Sequence, residues 1–407
     1  MRSKESYLNR WVYLVVGVFA MLFAGVLYAW SILKVPFQEN FGWSASTLAF
    51  NFTLTMCTFC IGAFVGSKLY KRIGLRLTVI LAGVLVGGGF VLTGCLQQMQ
   101  TGLLYVCYGI LAGFGIGIAY NVVISSVSAW FPDKKGLCSG ALMMGFGAST
   151  LLLGNVIDAL FRMEQVGWQK AYFILGIVLA AVLIVAALIL KLPGADVTLP
   201  KPKAGRAASR ENFEVRDYTT LEMVKRFTFW RAFICLVCLT AVGNCVISFA
   251  RDMVLSVGAG AGLATTMVGV LAVCNGLGRI LTGALFDAAG RRTTMLAANA
   301  VTILAAGIAL LAVMLQSLPL CIVGLCMTGL SYGSCPTVCS AFVSAFYGTK
   351  HFATNFSVIN FNLIAASFIA TASSSLLAST GSYVAPFVLL LALYLAALVL
   401  NFSIRKP

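Results

Sequence analysis

The chain has 407 residues, of which 60% are apolar and only 10% are charged, and its mean hydropathy is +0.97. Soluble globular chains average about 45–50% apolar and about 25% charged residues, so this composition excludes a soluble globular enzyme and a disordered protein. The net charge of +16 would also fit a nucleic-acid-binding protein, but the positions of the basic residues, described below, argue against that class.

Apolar segments of membrane-spanning length recur along the whole chain. A bilayer core of about 30 Å requires roughly 20 helical residues. Unpaired backbone groups are costly in lipid and no alternating barrel pattern is present, so we predict α-helices. This indicates an all-α membrane protein with twelve transmembrane helices. The predicted spans are 11–33, 46–67, 77–96, 102–129, 137–160, 171–191, 232–256, 264–286, 293–316, 318–342, 354–377 and 384–404.

The basic residues are distributed unequally between the two sides of these spans. On the side that carries both termini lie 23 of the 28 Lys and Arg residues, four lie on the other side, and Arg279 lies within a span. Loops rich in Lys and Arg remain in the cytoplasm, so we expect both termini there. The positive charge is therefore a topology signal, and we expect a lipid bilayer rather than a nucleic acid as the partner.

A polar stretch divides the spans into two groups of six. Residues 193–226 are rich in Pro, Lys, Arg and Glu, and we interpret them as a cytoplasmic linker with a short surface helix near 219–226. We predict an N-terminal six-helix bundle over 1–192 and a C-terminal six-helix bundle over 227–407. This arrangement is typical of transporters that bind substrate near the membrane midplane, between the two halves.

A short motif recurs after the second span of each predicted half. Both copies contain two glycines followed by basic residues, and glycine allows close helix contact and a turn with positive φ. The central position is Tyr70 in the first copy and Asp287 in the second. We assign gating and conformational roles to residues from both copies. They are Gly66, Gly74, Arg76, Gly283, Asp287, Gly290 and Arg291.

The two copies resemble the G-x-x-x-D-x-x-G-R-R/K loop motif of the major facilitator superfamily, with Tyr70 in place of the usual acid. Together with twelve spans and a central linker, this resemblance implies the major facilitator fold, in which two six-helix bundles enclose a central site. Further segments resemble the oxalate/formate antiporter family, which is related to the monocarboxylate transporters. They are Asn9-Arg10-Trp11, Tyr28, Trp30, Tyr120, WFPDKKG at 130–136, NGLGR at 275–279, Ser331-Tyr332, Pro336 and Asn355-Phe356.

This closer resemblance extends over nearly the whole chain. It implies a secondary transporter of small carboxylate anions rather than an enzyme, located in a bacterial inner membrane, and we expect a monomer. No Walker motif is present, and the glycines at 113–117 lie inside a span with no preceding strand. We therefore expect no cofactor and no direct use of ATP. Most of the thirteen cysteines lie in apolar runs, where cysteine packs as a small hydrophobic residue, so we expect no metal.

Arg279 is the residue in this sequence with the strongest indication of function. It is the only ionisable residue deep within a predicted span, where a charge costs about 2.5–3.5 kcal/mol on insertion scales. Its planar guanidinium fits a carboxylate through two hydrogen bonds. A pairing with backbone carbonyls or a shift toward the lipid surface is the structural alternative. The family resemblance implies that Arg279 binds the substrate anion.

Other polar and aromatic residues are candidates for the same site. Aromatic rings can enclose a small dry cavity, and Tyr hydroxyls can donate hydrogen bonds to a carboxylate. The asparagines could donate neutral hydrogen bonds, although hydrogen bonding between helices is an equally good explanation. The predicted substrate-binding residues are Arg279, Tyr28, Tyr120, Tyr332, Asn275, Asn360 and Asn362.

Two departures from the family pattern bear on substrate and coupling. The resemblance implies a second cation in the eleventh span of oxalate carriers, and here that position is Leu363. A single cation suits a monoanion of the formate, lactate or pyruvate class. Related monocarboxylate transporters carry an acid four residues before the arginine, and here that position is Asn275. The absence of a midplane acid argues against a carboxylate proton relay and favours exchange or uniport. An empty return step would leave Arg279 unpaired in a closed cavity, and this favours exchange.

Antiport of the oxalate/formate type remains open beside monocarboxylate exchange, and two other functions also remain open at this stage. A proton-coupled monocarboxylate symporter or exporter is the first alternative, because the substrate anion could itself carry the proton. The second is a membrane sensor that does not transport, although such a sensor would usually carry an added signalling domain or a long tail.

Overall fold

The computed structural model describes residues 7–194, 197–200 and 216–404. Among these residues, twelve helical segments are long and apolar enough to cross a membrane. They confirm the predicted all-α fold, with boundaries shifted by a few residues. The spans are Arg10–Ala29, Phe50–Ile73, Leu75–Gly94, Thr101–Ser128, Leu137–Arg162, Gly167–Ile189, Phe227–Ile247, Gly262–Phe286, Arg292–Met314, Leu318–Tyr347, Phe352–Thr380 and Val384–Ser403.

Four spans that border the protein centre contain irregular backbone or an internal proline. The fourth span forms a π-helix over Tyr105–Ala112. The first span tightens into a 3₁₀-helix over Gly25–Ala29. The tenth contains Pro336, and the eleventh is broken between the helices Phe352–Ile359 and Asn362–Thr380. At membrane depth such irregularities are tolerated only where protein or an internal cavity surrounds them. Their positions therefore indicate that the interior between the two halves is the specialised part of the fold.

Two glycines turn the chain at equivalent places in the two halves. Gly74 has φ 84° and ψ 165° and separates the helices Ala45–Ile73 and Leu75–Gly94. Gly290 has φ 75° and ψ −179° and interrupts the long helix Ala261–Met314 between the eighth and ninth spans. Side chains disfavour positive φ, so both turns require glycine. The repeat predicted from the sequence thus has a counterpart in the backbone.

The remaining residues of the repeated motif lie in different environments. Gly66 packs against the fourth span, where an added Cβ would lie 3.0 Å from Cα of Ile118. Arg76 is exposed, and Gly283 is buried. The side chains of Asp287 and Arg291 lie outside the described part of the structure. The gating role of the motif stays a prediction.

The described end of the linker is anchored to the tenth and eleventh spans. The N–H of Tyr218 donates to the carbonyl of Tyr347 over 3.0 Å, and Nδ2 of Asn355 donates to the carbonyl of Tyr218 over 3.0 Å. The short helix Thr220–Val224 follows, with a capping box at its start, and confirms the helix predicted near 219–226. We call this end of the bundle the linker side. The division of the chain at 193–226 into three parts stays a prediction.

Asp217 fixes the same linker segment to the loop between the tenth and eleventh spans. Its Oδ1 accepts hydrogen bonds from the backbone N–H groups of Thr349, at 2.9 Å, and Lys350, at 3.0 Å. The hydrogen bond from Lys350 and that from Thr349 hold the pKa of the Asp217 carboxyl below its ordinary value of 3.8. A lowered pKa means that this contact stabilises the fold above the ordinary value and is lost as pH falls through the lowered one.

We expect Asp217→Ala to release this part of the linker without unfolding the membrane helices. Hydrogen exchange measured by mass spectrometry should show faster exchange at Thr349 and Lys350, because their N–H groups lose their acceptor. Asp158→Ala, which removes an exposed carboxylate paired with Arg162, is the matched control and should leave these amides unchanged. Equal protection in Asp217→Ala and in the parent would contradict the anchoring role.

Hydrogen bonds also join the two halves directly. Nδ2 of Asn121 in the fourth span lies 2.9 Å from Oγ of Ser357 and 3.2 Å from the carbonyl of Ala353, both in the eleventh span. Oγ of Ser357 also lies 3.1 Å from the carbonyl of Ala63 in the second span. We call these four residues the linker-side contact. It lies between the linker side and the centre of the protein.

Candidate substrate-binding site

Arg279 lies in the centre of the protein, at the interface between the two halves. Its side chain belongs to the eighth span and is only 1% exposed. Nε donates to Oδ1 of Asn275, one helical turn earlier, over 3.1 Å. Nη1 donates to the backbone carbonyl of Met143, which belongs to the fifth span in the other half. Arg279 therefore bonds to both halves, and both of these acceptors are neutral.

The fifth span approaches the guanidinium closely because it presents glycine there. An added Cβ at Gly147 would lie 3.2 Å from Cζ of Arg279, and one at Gly140 would lie 3.3 Å from its carbonyl oxygen. On the other side of the eighth span, an added Cβ at Gly333 would overlap the carbonyl oxygen of Asn275. Small residues let helices pack at short distance in membranes. The position of Arg279 therefore depends on glycines in two neighbouring spans.

Aromatic rings from four spans form a cage beside Arg279. The ring of Phe146 lies at its centre, with ring-centroid distances of 5.3 Å to Tyr28 and 5.0 Å to Tyr120. Phe59 closes one side, at 5.1 Å from Tyr120. These separations are typical of edge-to-face aromatic packing. The cage is built mainly by the N-terminal half, whereas Arg279 comes from the C-terminal half.

A chain of hydroxyl hydrogen bonds crosses the interface next to the cage. Oη of Tyr332 donates to Oδ1 of Asn244 over 3.0 Å, and Oη of Tyr28 lies 3.3 Å from Oη of Tyr332. With its own proton directed at Asn244, Tyr332 accepts the proton of Tyr28. Tyr28 is in the N-terminal half and Tyr332 in the C-terminal half, so this bond must break when the halves separate at this level.

The three predicted asparagines have different environments. Asn362 is fully engaged: Oδ1 accepts from Thr240 over 2.9 Å, and Nδ2 donates to the carbonyl of Ile359 over 2.6 Å. Asn275 bonds to Arg279 and is not among the residues that line the cavity. Asn360 lines the cavity, is 2% exposed, and has a buried Nδ2 with no protein partner. Asn360 is thus the asparagine with a free donor.

Residues from both halves surround a central cavity of about 20 Å³. A site that holds one water needs at least about 10–15 Å³ in this measure, so even a small carboxylate requires outward movement of side chains. Of the predicted residues, Tyr28, Tyr120, Arg279, Tyr332, Asn360 and Asn362 line this cavity. The lining also includes seven residues outside the predicted substrate-binding set: Phe59, Phe146, Thr240, Cys335, Pro336, Cys339 and Leu363.

The charge balance of the cavity is simple. Among the described residues, Arg279 is the one charged residue of the lining, and no Asp or Glu belongs to it. The ion pairs found within the described residues lie elsewhere, between Arg10 and Asp133, Arg162 and Asp158, and Arg216 and Glu222. The guanidinium therefore lacks a carboxylate partner within hydrogen-bonding distance in the described part of the chain. The cavity can bind an anion by charge and by donor hydrogen bonds.

Twelve spans and a central polar site between two halves are the architecture of a multi-pass membrane transporter. Residues 12–250 match the sequence profile of the Major Facilitator Superfamily, which covers more than half of the chain. The chain belongs to this superfamily. Its fold also matches the fucose:proton symporter FucP of E. coli in the outward conformation, with a TM-score of 0.67 and 14% identity over 97% of this chain and 99% of that one.

Curated relatives show more sequence similarity. The chain is 28% identical over 290 residues to the oxalate:formate antiporter of Oxalobacter formigenes, covering 70% of this chain and 66% of that protein, just under two-thirds. It is 26% identical over 381 residues to human monocarboxylate transporter 12, covering 88% of this chain and 73% of that protein. The resemblance inferred from sequence motifs is confirmed by these relatives.

Proposed function

We propose that this chain is a secondary active transporter that moves small carboxylate anions across the membrane by alternating access. The proposed substrate is a monocarboxylate of the formate, lactate or pyruvate class, exchanged for a second anion. The single observation that carries this proposal is Arg279, a buried cation with neutral partners at the interface between the halves. The two relatives, an oxalate:formate antiporter and a monocarboxylate transporter, support the same substrate class.

The preference for a monoanion rests on the donors available in the cavity. Arg279 supplies one positive charge, and the eleventh span contributes Leu363 and the neutral Asn360. Pairing a buried monoanion with one guanidinium leaves no net charge, whereas a dianion would leave one negative charge in a low-dielectric cavity. Asn360 can then donate its unpartnered N–H to a carboxylate oxygen. This combination suits a small monocarboxylate better than oxalate.

The partners of Arg279 also bear on exchange. The carbonyl of Met143 and Oδ1 of Asn275 satisfy part of its hydrogen-bonding capacity, so the guanidinium does not lack partners altogether when the halves close without an anion. Neutral acceptors do not compensate a full charge, however, and an uncompensated buried charge is costly. We infer that closure is slower without an anion than with one, which favours exchange over net flux.

Uptake by purified protein in proteoliposomes tests the proposal. Formate, lactate, pyruvate and oxalate would be loaded inside in turn, and each labelled anion added outside. We expect uptake of a monocarboxylate that depends on an anion on the opposite side. Uptake without an internal anion that follows an imposed pH gradient would instead support proton-coupled symport or export. Absence of uptake for every carboxylate, with folded protein, would contradict the proposal and favour a sensor.

Asn360→Leu should weaken substrate binding without destabilising the protein. A hydrogen bond to a charged group contributes about 1.5–3 kcal/mol, so we expect the half-saturating substrate concentration to rise by roughly tenfold or more. Thermal stability should not fall, because Nδ2 has no protein partner to lose. Asn155→Leu, at an exposed position of the fifth span, is the control and should transport normally. An unchanged half-saturating concentration in Asn360→Leu would remove Asn360 from the site.

We also propose the inner membrane of a bacterial cell as the location, with both termini in the cytoplasm and the monomer as the functional unit. The excess of basic residues on the linker side supports this orientation. Reporter fusions at the termini test it, since a reporter active only outside the cytoplasm should stay inactive at both ends.

A further inference from the structure

A second cavity lies on the linker side, separate from the central one. Its volume is about 310 Å³, within the range of ligand-binding pockets. Its walls come from both halves of the chain, through the end of the second span, the segment around the fourth and fifth spans, and the tenth and eleventh spans. We call it the linker-side vestibule. Its lining includes Tyr70, Lys71, Ser344, Lys350 and Ala353.

The vestibule carries positive charge and hydroxyl groups. Lys71 from the N-terminal half and Lys350 from the C-terminal half both line it, and among the described residues no Asp or Glu belongs to the lining. Two acids adjoin the lining: the carboxylate of Asp217 accepts from the backbone N–H of Lys350, and Asp133, which follows the lining residue Pro132, pairs with Arg10. The other polar lining groups are mainly hydroxyls of serine and threonine, which can donate to an anion. Each half of the chain therefore contributes one cation to the lining.

An asymmetry of the repeated motif contributes to this charge. The turn glycines Gly74 and Gly290 align the two copies, and Asp287, three residues before Gly290, then corresponds to Lys71, three residues before Gly74, and not to Tyr70. An acid at this place would put a negative charge in the vestibule. Lysine instead supplies a positive charge there, so the first copy leaves the vestibule positive.

The linker-side contact lies between the vestibule and the central cavity. Ala353 lines the vestibule, and its carbonyl accepts the hydrogen bond from Asn121 that forms part of the linker-side contact. The residue preceding Asn121 is Tyr120, which lines the central cavity. The linker-side contact and the central cavity are therefore formed by neighbouring residues of the fourth span. An anion held in the vestibule would be the next to enter the central cavity when the linker-side contact opens.

We propose that the linker-side vestibule is a second, weaker anion site, in which Lys71 and Lys350 hold a small carboxylate before it passes to Arg279 or after it leaves. This inference rests on the proposed function for the identity of the anion. The positive charge of the site does not depend on it. Clefts lined by charge of one sign raise the local concentration of oppositely charged substrates by about 10-fold or more.

The charge of the site can be measured without transport. In Ser344→Cys, the new thiol lies in the vestibule, and its reaction with a negatively charged thiosulfonate is compared with that of a positively charged one. The parent chain, with its thirteen native cysteines, gives the background. We expect the negative reagent to react faster, by roughly threefold to tenfold at low salt, with the preference lost at high salt or after adding Lys71→Gln and Lys350→Gln. An equal rate for the two reagents would overturn the proposal.

The contribution of Lys71 and Lys350 to transport is measured from each side of the membrane, in vesicles of known sidedness. In Lys71→Gln/Lys350→Gln, we expect the half-saturating concentration on the linker side to rise by roughly threefold to tenfold, with that on the opposite side and the maximal rate unchanged. Lys225→Gln/Arg292→Gln removes the same charge from exposed linker-side positions outside the vestibule and should have no such effect. Equal changes in both variants, or a change on both sides, would overturn the proposal.

The two measurements also separate this inference from the proposed function. If the charge preference at Ser344→Cys holds while the parent transports no carboxylate, the anion site stands and the proposed function fails. If transport of a monocarboxylate is found without charge preference in the vestibule, the proposed function stands and the second site fails.

Discussion

Replacing Arg279 with methionine should abolish carboxylate transport while leaving the protein at least as stable as the parent. The cationic partner of the anion is lost, and removing one member of a buried charged pair costs about 2–5 kcal/mol of binding. At about 1.4 kcal/mol per tenfold change, this corresponds to a fall in transport of roughly 30-fold to a few thousand-fold. Stability should not fall, because a buried charge with neutral partners is itself costly and a fitting apolar side chain relieves that cost.

Two further variants separate the charge of Arg279 from its shape. Arg279→Lys keeps the charge but loses the planar pair of donors, so we expect transport between the parent and Arg279→Met. Arg162→Gln removes an arginine whose ion pair with Asp158 is exposed, and such pairs contribute little; it should transport normally. Transport and thermal unfolding would be measured on the same preparations. Loss of folding in Arg279→Met would indicate that the residue serves the structure instead.

Gly333→Ala should reduce both stability and transport, unlike the same change at a span glycine with open space around it. An added methyl group would overlap the carbonyl oxygen of Asn275 and lie 3.1 Å from the backbone nitrogen of Arg279. Backbone atoms cannot rotate away, so the eighth and tenth spans must separate, and overpacking of this kind costs about 1–3 kcal/mol or more. The same separation displaces Arg279 from the aromatic cage. We expect a lower unfolding temperature and a transport rate reduced at least severalfold.

Gly307→Ala is the matched control for this prediction. Gly307 lies in the ninth span, and an added Cβ there meets no atom within 4 Å. Alanine is favoured over glycine within helices, so stability should be equal or slightly higher and transport unchanged. Similar losses in Gly307→Ala and Gly333→Ala would mean that helix flexibility, not the contact between the eighth and tenth spans, controls the site.

The fold was predictable from the sequence because its main determinant is local. Whether a segment of about 20 residues enters the bilayer depends on the transfer free energies of its own side chains. The twelve spans and the exceptional position of Arg279 therefore follow from the order of residues alone. The turns at Gly74 and Gly290 were also indicated, since a repeated glycine before basic residues is a local feature.

The site was predictable only in part. Tyr28, Tyr120, Tyr332 and Asn360 were recognisable as polar or aromatic residues within apolar spans, and they do line one cavity with Arg279. Phe146, the centre of the aromatic cage, resembles any other apolar residue of a span, and its position appears only when the fifth span packs against the first and fourth. Its proximity to Gly145 and Gly147 is the one local sign that this part of the span is closely packed.

By itself, the sequence determined that this protein is a twelve-span membrane protein with a single cation in its interior. Only the tertiary structure decided what surrounds that cation. The carbonyl of Met143 lies far from Arg279 along the chain, and a backbone carbonyl has no sequence signature. The tertiary structure also distinguished three similar asparagines, directing Asn275 to Arg279, Asn362 to Thr240, and Asn360 into the cavity. Insertion depends on the residues of one segment, whereas these contacts depend on how separate segments rotate and pack together.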